Sequence, residues 1–470
     1  NGKREKTMLD KSIIRKLEKI VGRENMTTEK SDLICYAFDA TQQRFLPDVA
    51  LYPQSAAEIS DILKLANAEK IPVVPRGSGS GFSGGSLPTM GGIALVLRRM
   101  DKILEIDEEN MLAVVEPGVV TEVFQQAVEA RGLFYPPDPA SLKFSSLGGN
   151  VAECAGGPRC VKYGVTRDYI LGLEVVTPQG DIIHTGGRTM KGVVGYDLTR
   201  LMVGSEGTLG VVTKIIIKLL PLPAAKKTML VVFDSIRGAS QAVSDIILGR
   251  IIPTTLEFMD STSIDVVRNA TNLSIPERAR AILIIEVDGD EELLEKQAER
   301  ILEIVAPFGV VETRVAKDKA ESDDIWKLRR SISPSLRQVN PNKFNEDICV
   351  PRSKIPDMIL ELERISREVG VPIINFGHAG DGNIHVNVMV DLAEEGMQEK
   401  VDRALEEIFR ATLKLGGTIS GEHGIGVEKL KGMPLIFSKA DLAAMRNVKK
   451  AFDPEDVYNP GKLLPEEKAA

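Results

Sequence analysis

Arg76-Gly-Ser-Gly-Ser-Gly-Phe-Ser-Gly-Gly-Ser86 packs five glycines and four serines into eleven residues. Backbone N–H groups and hydroxyls converge in such a loop, which is the chemistry that holds an anion, and a pyrophosphate is its natural guest. Inside it, Gly79-Ser-Gly-Phe-Ser-Gly84 has the dinucleotide spacing GxGxxG, but that fingerprint must open a helix. Pro88, Gly91 and Gly92 intervene here before a strand-like run at residues 93–97, so the NAD-type reading is poor. A mobile linker has the same composition. The short strand at residues 71–75 and the proline that flanks the loop argue against it.

Upstream of the loop, Ser55-Ala-Ala-Glu58 is a capping box opening a helix to about Glu69. Before it, a charged N-terminal segment to about Arg44 reads as helix, with Ile13, Ile14, Leu17, Ile20 and Val21 on one face. Downstream come strands at 103–106 and 112–116, then a helix at 121–131 closed by Gly132. A second glycine-rich stretch, 136–164, has little periodicity. It holds Ser145-Ser-Leu-Gly-Gly-Asn150, Gly156-Gly157 and Gly164, where backbone can approach a flat ligand closely. Strands at 171–177 and 209–219 lead into Pro221-Leu-Pro223, where composition shifts and a domain boundary is placed. Beyond it the order is strand 228–233, helix 238–248, strands 254–259 and 281–287, helix 291–305 and strand 310–315, a ferredoxin-like βαββαβ. An Arg-rich helix near Trp326, a glycine-rich hairpin near Gly380, a helix at 398–415 and a terminal helix before Asn459 complete the chain.

At 470 residues the chain exceeds one hydrophobic core, so two or three packed units are expected. Apolar residues at 43% and charged residues at 27% exclude disorder. The balance of 59 Lys+Arg against 67 Asp+Glu, with no basic block, speaks against nucleic acid. The apolar stretch 210–222 is broken by Lys214 and Lys218, and none reaches the roughly 20 residues of a membrane span. The first 30 residues are charged throughout and show no signal peptide. Cys35, Cys154, Cys160 and Cys349 form no CxxC pair, so neither a disulfide framework nor a thiolate metal site is indicated; a reducing cytoplasm fits best.

Of four histidines, three fall within residues 378–423. In Phe376-Gly-His-Ala-Gly-Asp-Gly-Asn-Ile-His-Val-Asn-Val388 the glycines read as a turn, and Ile384, Val386 and Val388 form one strand face. His385 and Asn387 then share the other. A hairpin brings His378 near His385, and Glu422 of Gly421-Glu-His-Gly424 completes a His/His/carboxylate set suited to Zn²⁺, Mn²⁺ or Fe²⁺. Hydrogen-bonded structural histidines remain the alternative, since the spacing matches no HExxH pattern. Arg329 and Arg330 present either a guanidinium to a carboxylate substrate or a solvated basic face.

Pro75-Arg-Gly-Ser-Gly-Ser-Gly81, Gly148-Gly-Asn-Val-Ala-Glu-Cys-Ala-Gly-Gly157, Lys162-Tyr-Gly-Val-Thr-Arg-Asp168, Gly204-Ser-Glu-Gly-Thr-Leu-Gly210, Gly377-His-Ala-Gly-Asp-Gly-Asn-Ile-His385, Gly421-Glu-His-Gly424 and Asn459-Pro-Gly461 carry a resemblance that runs from about Phe45 to Pro465. Through them the chain resembles flavoproteins of the vanillyl-alcohol oxidase (PCMH) fold, and within these the glycolate oxidase D subunit and D-lactate dehydrogenase group. The resemblance implies an α+β chain: an N-terminal helical segment (1–44), a PCMH-type two-subdomain FAD-binding domain (45–221), a ferredoxin-like substrate cap (222–420) and a C-terminal helical return to the flavin (421–470). It implies FAD held by Arg76, Gly77, Ser78, Gly79, Ser80, Gly81, Ser83 and Gly84. The rest of the cofactor is expected along Pro137, Asp138, Ser141, Ser146, Gly148, Gly149, Asn150, Ala152, Gly156, Gly157, Gly164, Val165, Glu206, Gly210 and Val211, with Asn459 approaching from the C-terminal segment. The first loop has no histidine and Cys160 does not match the cysteine used for tethering, so the FAD is expected to be non-covalent.

By the same resemblance His378, His385 and Glu422 are divalent-metal ligands, His423 is the base and Arg329 anchors the substrate carboxylate, with Ser333, Lys343 and Asn387 also at the substrate. Ser333 stands where hydroxy-acid relatives often carry threonine, and Lys343 aligns only loosely, which leaves the acid itself open. The expected activity is an FAD-dependent 2-hydroxy acid dehydrogenase of D-lactate or glycolate type, passing hydride to flavin N5. Electrons then go to an iron–sulfur subunit, an electron-transfer flavoprotein or a quinone, in the cytoplasm or at the inner membrane face through a partner. A non-catalytic flavin electron-transfer subunit, a metallohydrolase and, within the same fold, an ether-lipid synthase are the alternatives.

Overall fold

The computed structural model describes residues 9–41, 43–268 and 274–466; the outer ends of the N-terminal and C-terminal segments, 1–8 and 467–470, lie outside the described residues. The chain forms two compact units. One comprises Asn1–Ala155, Val165–Leu222 and Glu422–Ala470; the other comprises Gly156–Gly164 and Pro223–Gly421.

In the first unit a sheet runs in the order Met26–Thr27, Val49–Leu51, Ile93–Val96, Val73–Arg76, its last three strands parallel. Parallel strands are covered on both faces, and every residue of Val49–Leu51 and Ile93–Val96 is buried. The helix Ala56–Glu69 begins where the capping box places it: Glu58 N–H donates to Ser55 Oγ at 3.2 Å. It sends Ile59, Ile62, Leu63 and Ala66 into one core with Leu17 and Val21 of the helix Lys11–Val21. That first helix stops well short of Arg44. Asn25 Nδ2 donates to Val21 O at 2.7 Å and satisfies the last turn, and 3-10 turns, a short strand and the one-turn helix Lys30–Leu33 follow.

The second sheet of this unit is antiparallel, ordered Ile103–Asp107, Leu112–Val115, Val211–Lys218, Ile170–Val176, Ile182–Gly186. Along Val211–Lys218 the buried residues are Val211, Thr213, Ile215 and Ile217, the period of two that places one face on a core. The stretch around 136–164, which has no periodicity, nevertheless contains the helix Leu147–Glu153, started by Ser146 Oγ accepting from Gly149 N–H at 3.4 Å.

The second unit realises the ferredoxin-like pattern. Its sheet runs Val310–Val315, Ala225–Phe233, Ala281–Gly289, Thr255–Asp260, all neighbours antiparallel, with Ile236–Leu248 and Glu291–Val305 as the two helices. The sheet then continues through Ile373–His378, Asn383–Val390 and Asn342–Cys349 to seven strands. On one face lies the helix Lys319–Ser335, whose Ile325, Leu328 and Ile332 pack with Ile282, Ile284, Ile374 and Phe376. Arg329 follows Leu328 and so leaves this helix beside the sheet. Among the described residues no helix is long and apolar enough to cross a membrane.

Candidate active site

Strand register assembles the polar centre of the second unit. Directly opposite residues on antiparallel strands share a face. Glu257 is opposite His378, Phe376 is opposite His385, and Asp347 is opposite His385 on the other side. Since Phe376 and His378 are two residues apart, all five lie on one face. Glu257 and Asp347 are wholly buried, and both histidines are nearly so.

Glu257 is the hub of this row. Its Oε2 accepts from Arg329 Nε at 2.8 Å, and its Oε1 accepts a short hydrogen bond from His378 Nδ1. Burial pushes its carboxyl up, but His378 and Arg329 outweigh burial and hold it below the ordinary range. The Arg329 guanidinium stacks on Phe376 with its carbon 4.4 Å from the ring centroid. With His378 donating through Nδ1, its Nε2 lone pair faces His385 Nε2 at 3.3 Å. Two imidazole lone pairs so close require a proton or a cation between them. The carboxylate expected to join the two histidines, Glu422, opens the stretch Glu422–Ala470 that is assigned to the first unit. A pair of imidazoles with one carboxylate, one imidazole oriented by a second carboxylate, fits a divalent metal. Asp347 accepts from Gly421 N–H at 3.0 Å and from Ser420 Oγ at 3.1 Å.

Lys343 Nζ donates to Ser333 Oγ at 3.3 Å, and burial together with Arg337 lowers its pKa. These two expected substrate contacts are thus brought together. Asn387 is wholly buried and donates to Ile374 O and His385 O and accepts from Asn345 Nδ2, a cross-link inside the sheet. Arg330 is on the solvent side, bonded to Asp323 O.

In the first unit the glycine loop opens on a cavity of about 210 Å³ lined by Cys35, Tyr36, Arg76, Gly77, Ser78, Val96, Arg98, Gly118 and Ser146. Both glycine-rich stretches wall it: a Cβ on Gly77 would stand 2.3 Å from Ser146 Oγ. This is a cradle for a group that approaches backbone closely, and it fits a dinucleotide phosphate. Arg98, Cys35, Tyr36 and Gly118 were missed in the sequence, where nothing marks them off from ordinary core and surface residues.

Several expected cofactor residues also carry bonds within the protein. Arg76 donates to Phe38 O at 2.7 Å and to Ser86 Oγ at 3.2 Å, and burial lowers its pKa. Asn150 donates to Thr121 Oγ1 at 2.7 Å, and Val211 is a buried strand residue. Asn459 ties the C-terminal segment to the glycine loop, donating to Gly85 O at 3.1 Å and Glu206 O at 3.0 Å. Gly156, Gly157 and Gly164 belong to the segment Gly156–Gly164 of the other unit, where Tyr163 OH donates to Asp288 at 2.9 Å. His423, in the first unit, stacks on Phe82 of the glycine loop with centroids 4.9 Å apart.

The profile described as FAD binding domain matches residues 47–186, and that described as FAD linked oxidases, C-terminal domain, matches residues 222–463. Glycolate oxidase subunit GlcD of Bacillus subtilis is 44% identical, over 97% of this chain and 97% of its own length. The D-lactate dehydrogenase of Anaerostipes hadrus is 34% identical over 89% of each chain. Among solved structures, p-cresol methylhydroxylase with substrate bound superposes with a TM-score of 0.81 at 17% identity, covering 98% of both chains, which shows a shared PCMH-type fold.

Proposed function

We propose a 2-hydroxy acid dehydrogenase function from the premise that this chain belongs to the family of FAD-linked oxidases, of glycolate oxidase GlcD and D-lactate dehydrogenase type. That membership makes it an FAD-linked oxidoreductase, and the metallohydrolase alternative falls with it. The substrate on this reading is glycolate or a D-2-hydroxy acid such as D-lactate. The observation that carries it is the buried row Arg329, Glu257, His378, His385: a carboxylate anchor and a pair of metal-type donors joined through one buried carboxylate.

When bound, FAD supplies a hydride acceptor at N5 and a divalent metal held by His378, His385 and Glu422 supplies polarisation of the substrate hydroxyl. The chain's own residues do the rest. Arg329 pairs with the substrate carboxylate and is itself held by Glu257 and Phe376, so the Cα–H direction is set before reaction. His423 takes the hydroxyl proton as the C–H bond breaks, its ring steadied against Phe82. Lys343 and Ser333 add polar contacts that select among acids. Electrons leave to a partner protein or a quinone. The metal and the base are tested by variants: His423→Ala should keep FAD but lose turnover, whereas His378→Ala or His385→Ala should lose metal and turnover together. Unchanged turnover in His423→Ala would sink the base assignment.

A further inference from the structure

Glu206 lies in the turn Gly204-Ser-Glu-Gly207 and is 5% exposed, with its backbone in the left-handed region at φ 52. A non-glycine residue is kept there only when its surroundings over-determine it. They do: Glu206 N–H donates to Ala152 O at 2.8 Å, and Glu206 O accepts from Asn459 Nδ2. The purpose of that pose is visible at the side chain. Oε1 accepts from Ile425 N–H at 2.7 Å and Oε2 from Gly426 N–H at 2.5 Å.

Those two amides belong to the loop that carries His423. The loop is fitted so closely to its bed that side chains are excluded. A Cβ on Gly424 would stand 2.5 Å from Glu153 Oε2 and 2.8 Å from Glu206 Oε1, and one on Gly426 would stand 1.9 Å from Ser83 O. Val427 N–H donates to that same Ser83 O at 2.8 Å, and Phe82, the neighbour of Ser83, stacks on the His423 ring. The family resemblance places Glu206 along the FAD. Both of its carboxylate oxygens are engaged by consecutive amides of the His423 loop.

We propose that Glu206 is a positioning residue for His423, fixing the backbone of its loop through the paired bonds to Ile425 and Gly426. This rests on the reading of His423 as the base. A carboxylate suits the task because it accepts twice. Glutamine has the same size but one acceptor and one donor, so in Glu206→Gln one amide faces an N–H.

The test is anaerobic flavin reduction by D-lactate, or by glycolate if that acid reduces the wild-type flavin, in the Glu206→Gln, His423→Gln and double-variant holoenzymes, using protiated and α-deuterated acid. Glu206→Gln should retain FAD and acid affinity, reduce its flavin roughly 10–100-fold more slowly with a larger isotope effect, and add no further loss in the His423→Gln background. Loss of FAD, an unchanged rate, or a full additional loss in the double variant would overturn the proposal. Amide hydrogen exchange on the wild-type holoenzyme supplies an independent readout should the variant not fold: Ile425 and Gly426 should be strongly protected, and exchange at open-loop rates would overturn it. That result decides the role of Glu206 even if neither acid reduces the wild-type flavin, the outcome that would sink the dehydrogenase reading itself.

Discussion

Replacing Glu257 by glutamine removes the charge at the centre of the buried row while keeping its volume. The amide oxygen can accept from Arg329 Nε or from His378 Nδ1 but not both, and its NH₂ then faces the other donor. One charge-assisted hydrogen bond is worth about 1.5–3 kcal/mol, and breaking a buried ion pair costs about 3–5 kcal/mol, so a glutamine that preserves one bond should cost about 3 kcal/mol. For a domain of this size that is roughly 6–12 °C in the melting temperature of the second unit. Calorimetric scans of metal-free wild type and Glu257→Gln measure it directly. Manganese or zinc titrations of the same pair should show affinity weakened about 10–100-fold, because His378 loses the partner that sets its tautomer. A melting temperature and metal affinity both equal to wild type would refute the reasoning that Glu257 organises this centre.

Three further outcomes are expected. Arg329→Lys keeps a charge but not the planar fork stacked on Phe376, so KM for the hydroxy acid should rise about 10–100-fold in steady-state dye reduction. Lys462 is buried, donates to Leu87 O at 2.7 Å, and has its pKa lowered by burial from 10.5 to about 8. Across that window the unfolded chain holds a proton that the folded chain has released, so stability rises with pH; the stability difference between wild type and Lys462→Met, followed by urea unfolding, should shift toward wild type by up to about 3 kcal/mol between about pH 7 and about pH 10.5. Asp347→Asn should loosen Gly421 and lower metal affinity without releasing FAD, as read by metal titration and absorbance.

The ferredoxin-like order was legible because its strands and helices alternate in period and are separated by turns, and the glycine loop was legible because it runs to a strand instead of opening a helix. His378 and His385 could be paired from the Ala-Gly-Asp-Gly-Asn turn alone. Glu257 could not. The glutamate of Thr-Leu-Glu-Phe-Met-Asp looks like the solvent side of a half-buried strand, and the register that sets it opposite His378 joins segments 121 residues apart. Asn342–Cys349 was missed for a related reason: Asn-Lys-Phe-Asn-Glu-Asp reads as loop, because the strand's polar residues, Asp347 among them, are turned inward. The helix Leu147–Glu153 contains Gly-Gly-Asn, which local propensity disfavours, and depends on the Ser146 cap.

The proposed function is oxidation of a 2-hydroxy acid at a bound flavin. Anaerobic titration of the purified yellow protein with glycolate, D-lactate, L-lactate and D-2-hydroxyglutarate tests it most directly. Glycolate or a D-acid should bleach the visible flavin band and yield one equivalent of 2-oxo acid per flavin; a flavin that dithionite reduces but none of these acids does would contradict the dehydrogenase reading.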